Sequence, residues 1–310
     1  MAMNASAPVQ KAVTKLRNSL QEGQPYDGQQ MFKTTYHRFR AQKKLQDCYK
    51  LLEEGARLQL QEGQLNCGVE LAQMLVEAYL RDNASCSRDN MQRVLYIIDA
   101  FPRPQTDTDG NFDAVEQCSK VTLAAIKWAK RHNNATTTVQ RLHDKLAAYM
   151  WECHGWRGLG QVSQHYIRGK DMTGFAAALA QSVGEGNPEE EDLFVVRAVL
   201  QLLAVSKGNG LDEKLEDAHE LLQSYESMMR RGLPDTPLMH FINFLIKALE
   251  HRSLKLAEML QTTYSVSLAR EPLLSGLLQR IKEVYLGAQA SGGMQEMMSS
   301  MLQMLNGGGS

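Results

Sequence analysis

Along almost the whole chain, apolar residues recur every three to four positions, the period of a helix that buries one face. In KAVTKLRNSL the apolar positions are Val13, Leu16 and Leu20, and QEGQPYDG then breaks the pattern. QQMFKTTYHRFRAQ restores it, with Met31, Phe32, Tyr36 and Phe39 on one side. LQDCYKLLEEGARLQLQEG predicts a third helix, stopped at Gly63 by a residue that accepts the left-handed conformation helix ends favour. CGVELAQMLVEAYLRD predicts a fourth. SRDNMQRVLYIIDAFP predicts a fifth, with Ser87 as N-cap and Pro102 as stop.

RPQTDTDGNF reads as a polar loop, followed by helices near 112–132 and 136–152 and two shorter ones near 154–168 and 171–183. VGEGNPEEE is another loop, its acids gathered where a following helix N-terminus favours negative charge. That helix, EEDLFVVRAVLQLLAVSKG, is apolar on most sides and is expected to be buried. Further helices fit 211–231, 236–250, 253–264 and 270–286. The expected total is about fourteen helices of roughly 12–20 residues, with no alternating strand segment bounded by hairpin turns. Consecutive helices on short loops imply antiparallel pairs stacked into an all-α, right-handed superhelix, an α-solenoid.

Composition agrees with that class: 43% hydrophobic residues supply a core, aromatics are only 7%, and eight prolines leave long uninterrupted segments. Net charge is −1, so the chain as a whole has no pull toward nucleic acid or an acidic membrane, and no direct membrane insertion is expected. The charge is uneven, however. Residues 1–60 carry ten Lys/Arg against five Asp/Glu, and from Lys33 to Lys50 six basic residues face one acid, Asp47. Such a stretch is either a solvated helix face or a docking patch for an acidic partner. The five cysteines (Cys48, Cys67, Cys86, Cys118, Cys153) are odd in number and form no CxxC, which suits free thiols in a reducing compartment. No signal-peptide apolar core and no membrane-length apolar run are present, and a cytosolic chain is expected.

Catalytic and cofactor signatures are missing: no phosphate-binding glycine loop, no HExxH, no nucleophile elbow. GWRGLG, residues 155–160, reads as a helix–helix connection. His132, His143, His154 and His165 are spaced by eleven residues. On one helix they would share a face but rise about 16 Å between neighbours, too far to share an ion. No enzyme activity, cofactor or metal is expected.

Several segments together resemble one family, the scaffold subunit of the guided-entry pathway for tail-anchored membrane proteins, Golgi to ER traffic protein 4. They are QPYDGQQMFKTTYHRFRAQKKLQDCYKLLEEGA, GVELAQMLVEAY, RLHDKLAAYMW, EEDLFVVRAVLQLLA, PLMHFINFLIKALE and YSVSLAREPLLSGLLQRIKEVYLG. The resemblance runs in order from about residue 9 to 287. It implies an α-solenoid of about seven helix pairs and a non-catalytic adaptor. The N-terminal half (9–150, after a short N-terminus 1–8) would dock the homodimeric ATPase that carries tail-anchored proteins. The C-terminal half (151–287) would hold the N-terminal segment of a ubiquitin-like protein, which recruits a tetratricopeptide co-chaperone.

By that resemblance, Lys11, Lys15, Arg17, Lys33, Arg38, Arg40, Lys43 and Lys44 fall where the family docks on the ATPase, and Glu70 takes an acidic place implied to modulate it. Gln29 stands where the family often has His, and Ala41 and Gln42 thin the basic run. For the ubiquitin-like partner the expected contacts are among Leu193, Phe194, Phe241, Phe244, Leu245 and Tyr285, which as apolar residues at helical spacing fit a solenoid core equally well. Other readings are a generic tetratricopeptide or proteasome-lid type scaffold, or an enzyme or direct chaperone. Residues 288–310 are expected to be a mobile tail. Met294, Met297, Met298, Met301 and Met304 would lie on one helical stripe that could instead grip a tail anchor.

Overall fold

The computed structural model describes residues 6–103, 112–206 and 210–288, with side chains of the middle span from residue 113 onward. All regular structure there is helical, and no strand occurs among the described residues. The chain divides into two compact units, Met1–Gly155 and Trp156–Ser310.

The first unit holds α1 (Ala7–Gln21), α2 (Pro25–Ala41), α3 (Leu45–Gln61), α4 (Leu65–Arg81), α5 (Arg88–Ala100), α6 (Phe112–Ala129) and α7 (Thr136–His154). Successive helices run antiparallel; each packs on the next but one, and all but α4 also pack on the next, as in an α-solenoid. α2 starts four residues ahead of the expected QQMF. PYDG is its first turn and not a breaker: Pro25 sits where a helix N–H has no partner, and Asp27 faces the positive end of the dipole. Three helical glycines set how closely the helices approach. A Cβ on Gly28 would lie 2.5 Å from Leu16, on Gly55 2.5 Å from Phe32, and on Gly68 2.6 Å from Leu60. Gly63 ends α3 at φ +73°, as its place in the sequence predicts. The Ser87 side chain accepts from Asn90 N at 3.2 Å and caps α5. Buried rings of Tyr49, Tyr79 and Trp128 pack in series, the first pair edge-to-face at 81° and the second tilted at 36°, with centroids 4.8 and 4.7 Å apart. Trp128 Nε1 donates to Ala84 O at 2.9 Å, so the largest core side chain buries no unpaired donor.

The second unit holds α8 (Leu159–Tyr166), α9 (Met172–Glu185), α10 (Glu191–Ala204), α11 (Leu211–Met228), α12 (Pro237–Glu250), α13 (Leu254–Thr263), the single turn α14 (Ser265–Leu268) and α15 (Pro272–Leu286). The span expected as one helix over 154–168 is a 3-10 turn, Gly155–Gly158, followed by α8. Gly155, at φ +54°, turns the chain out of α7. α10 is the buried helix its all-round apolar sequence predicts: Val195, Val196, Val199, Leu200, Leu202 and Leu203 are all inaccessible. Even Asp192 is buried, held by Arg270 at 2.7 Å. α15 returns onto α10, where Arg197 grips Glu271 with two bonds of 2.8 Å. The loop expected over 103–112 and the methionine-rich segment fall almost wholly outside the described residues.

Candidate functional site

The basic residues of the first unit separate into two kinds. Lys33 and Arg40, both on α2, act as braces. Lys33 Nζ lies 2.5 Å from Glu70 on α4, and Gln29 Nε2 donates to the other Glu70 oxygen at 2.7 Å. Gln29, itself buried, thus ties the acidic side chain to α2. Arg40 meets Asp82 just past α4 through two bonds of 2.9 and 2.5 Å, and Tyr49 OH donates to the same carboxylate at 2.9 Å. The Arg40 bond, aided by Tyr49, holds the Asp82 carboxyl below the usual range.

Lys11, Lys15, Arg17, Arg38, Lys43 and Lys44 are exposed and make no ion pair with any described residue. Lys11 and Lys15 are one turn apart on α1. Arg38 is in the last turn of α2, and Lys43 and Lys44 form the α2–α3 turn. Because α1 and α2 are antiparallel, with Gly28 against Leu16 and Ser19, the start of α1 and the end of α2 lie at the same end of the pair. Lys43 has φ +57°, a conformation unusual for a side chain with a Cβ. Of the eight expected basic docking residues, then, six are free cations and two are engaged within the fold.

One charged cluster escaped the sequence pattern. Glu53, only 1% exposed, lies between α3 and α5 with Lys50 at 3.1 Å and both Arg57 and Arg93 at 3.7 Å, and burial pushes its carboxyl upward. LLEEGARL shows two adjacent acids but not which one points inward.

In the second unit the expected apolar contacts also divide. Phe241 and Leu245 are wholly buried, and Phe241 packs on Tyr264 with centroids 5.7 Å apart. Tyr285 is buried, with its hydroxyl 2.7 Å from Ser206 Oγ and donating to Leu211 O at 3.2 Å. Burial raises its phenol to about 12. These three hold helices together. Leu193 and Phe194 are half-buried, and Phe194 borders a recess of about 60 Å³ with Leu159, Ser163 and Arg197, room for a few waters. Phe244 is 47% exposed beside Lys247, whose Nζ is 6.0 Å from the ring centroid.

Among the described residues no three His, Cys, Asp or Glu side chains are grouped to hold a metal, and all five cysteines are free. No helix among them is long and apolar enough to cross a membrane. His143 is buried in α7, and His165 in α8 is held down to about 4 by burial and by Arg168.

Stacked antiparallel helices with charged turns define an all-α helical-repeat protein. The family model of Golgi to ER traffic protein 4 (GET4) matches residues 42–302, most of the chain, and the chain belongs to that family. Lys43, Lys44, Glu70 and all six apolar candidates fall inside the match. Protein GET4 of Arabidopsis thaliana is 28% identical over 96% of this chain and 96% of its own length. The Golgi to ER traffic protein 4 homologue of Dictyostelium discoideum is 27% identical over 96% of this chain and 91% of its own, and the Homo sapiens homologue 26% over 90% and 80%. The crystal structure of C. therm. Get4 superimposes with a TM-score of 0.75 over 94% of this chain and 95% of that one. At 19% identity that likeness shows the fold alone.

Proposed function

We propose that this chain is a cytosolic, non-enzymatic adaptor in the delivery of tail-anchored membrane proteins to the endoplasmic reticulum. Its first unit docks the homodimeric targeting ATPase. Its second unit holds a ubiquitin-like protein that brings in a co-chaperone. The observation that carries the reading is the set of six unpaired, exposed cations on α1, α2 and the α2–α3 turn of a chain in the Golgi to ER traffic protein 4 family. Cations without an internal ion pair have none to break when they meet an acidic surface, and they accelerate encounter in a salt-sensitive way. Glu70, side chain half-exposed and already carrying Lys33 and Gln29, suits a second contact that can be pulled from α2 when a partner offers a better cation. Of the six apolar residues expected at that contact, Phe244, Leu193 and Phe194 are left for a partner, because Phe241, Leu245 and Tyr285 are buried in the core.

Calorimetric titration of the full chain with the ATPase dimer, with and without nucleotide, tests the reading. Lys43→Glu with Lys44→Glu is expected to weaken ATPase binding at least tenfold, about 1.4 kcal/mol, and to leave the ubiquitin-like protein bound. Unchanged affinity at low salt refutes the patch. Absence of any binding to either protein refutes the adaptor reading as a whole.

A further inference from the structure

The first unit is electrically polarised from end to end. Its turns α2–α3, α4–α5 and α6–α7 lie at one end, since consecutive helices alternate in direction. Side chains confirm the juxtaposition: Arg40 reaches Asp82, Arg131 Nη1 donates to Leu80 O at 3.4 Å, and Trp128 Nε1 donates to Ala84 O at 2.9 Å. That end exposes Arg38, Lys43 and Lys44, then Arg81 and Arg88, then Lys127, Lys130 and Arg131. Against these eight cations stand Asp47 and Asp89, since Asp82 is already taken by Arg40. At the opposite end, the described residues of turns α1–α2 and α3–α4 carry Glu22, Asp27 and Glu62 and no Lys or Arg, and Arg103, just past α5, is paired with Glu152.

Cations near helix C-termini are favoured by the dipole, and α2, α4 and α6 all end here. The dipole does not account for Arg88, which opens α5, where a positive charge is disfavoured. Neighbouring helices pack 8–10 Å apart, so the three turns spread over roughly 20 Å. They are polar, and of the exposed large apolar side chains among this unit's described residues (Tyr26, Leu45, Tyr96, Leu123) only Leu45 lies at this end. Leu45 stands beside Lys43 and Lys44, but around Arg81, Arg88, Lys130 and Arg131, outside the residues assigned to the ATPase, the described residues offer no exposed aromatic anchor of the kind that fixes protein interfaces. A broad array of about six excess charges without anchors instead matches the four to eight Lys/Arg that hold a segment on an anionic bilayer.

We propose that the basic end of the first unit, at turns α2–α3, α4–α5 and α6–α7, is a peripheral docking surface for anionic lipid headgroups. It rests on electrostatics alone and inserts nothing. The inference is independent of the ATPase reading, because Arg88, Lys127 and Lys130 lie outside the residues assigned to that partner. Arg38, Lys43 and Lys44 are common to both, so the bilayer and the ATPase compete.

Flotation of the full chain with phosphatidylcholine vesicles, with or without roughly 30% phosphatidylserine, tests it at low ionic strength. Expected is binding to the anionic vesicles only, reversed by about 0.5 M salt. Lys127→Gln with Lys130→Gln is expected to weaken that binding about twenty- to thirtyfold, at roughly fivefold per charge. Both side chains are exposed, so its melting curve and ATPase affinity stay at the parent values. The proposal is overturned by no flotation at low salt, by equal binding to neutral vesicles, or by full binding of the double variant. It is equally overturned if the double variant loses ATPase affinity, which would assign the whole rim to an acidic protein.

Discussion

Arg40→Ala separates bracing from docking. Arg40 gives two charge-assisted bonds to Asp82, whose side chain is 8% exposed, while its own is 25% exposed. Breaking a buried pair costs about 3–5 kcal/mol because the remaining charge is stranded. Here Tyr49 stays bonded to Asp82 and water reaches Arg40, so about 2–3 kcal/mol is expected. The first unit's opening equilibrium should then rise roughly 30- to 150-fold. Native-state hydrogen exchange of the α2, α3 and α4 amides measures this directly, unaffected by how the other unit unfolds. Asp82→Ala should cost about as much, and the two together less than their sum, since they remove one interaction. The sign of the pH effect follows. Asp82 has a depressed folded pKa, so its contribution is present above the unfolded carboxyl value of 3.8 and is lost as pH falls through the folded one. The reasoning is refuted if Arg40→Ala leaves exchange within about threefold of the parent while lowering ATPase affinity. Arg40 would then be a docking residue after all.

Two further outcomes test the packing and the buried charges. Gly55→Ala should destabilise the first unit by about 1–3 kcal/mol despite alanine's helix preference, because its Cβ meets the buried Phe32 ring at 2.5 Å and Leu71 at 2.9 Å. A raised urea midpoint would contradict the close approach. His165, held at about 4 in the fold against 6.5 outside it, stays neutral where the unfolded chain binds a proton. Stability is therefore full above about pH 6.5 and falls on the order of 3 kcal/mol by pH 4. Melting curves of His165→Gln should lack that part of the decline.

Helix identity was legible because amphipathic periodicity, Ser87 and Gly63 are local signals, read within one or two turns of chain. What local signals cannot carry is a partner some forty residues away. Arg40 and Arg38 look alike in YHRFRAQ, yet one meets Asp82 and the other meets solvent. Phe241 and Phe244 in PLMHFINFL share a composition and differ only in which side of α12 they occupy. PYDG misled for a related reason: Pro, Asp and Gly mark turns, but they are also suited to a first helical turn when a neighbouring helix needs Gly28's missing Cβ. The basic end spans three turns about forty residues apart. Only stacking brings KK, RD and KR to one rim.

The glycine contacts of the first unit have a mechanical consequence. At Gly28, Gly55 and Gly68 a side chain from one helix sits in a notch in the next, where any sideways sliding would drive it into backbone. Each notch forgoes about 1 kcal/mol of helix preference relative to alanine. In return α1–α4 are keyed against axial slip, like cut teeth in a rack. A push delivered at the α2–α3 turn is then passed along the rows as a displacement of whole helices, and little of it is lost in local give.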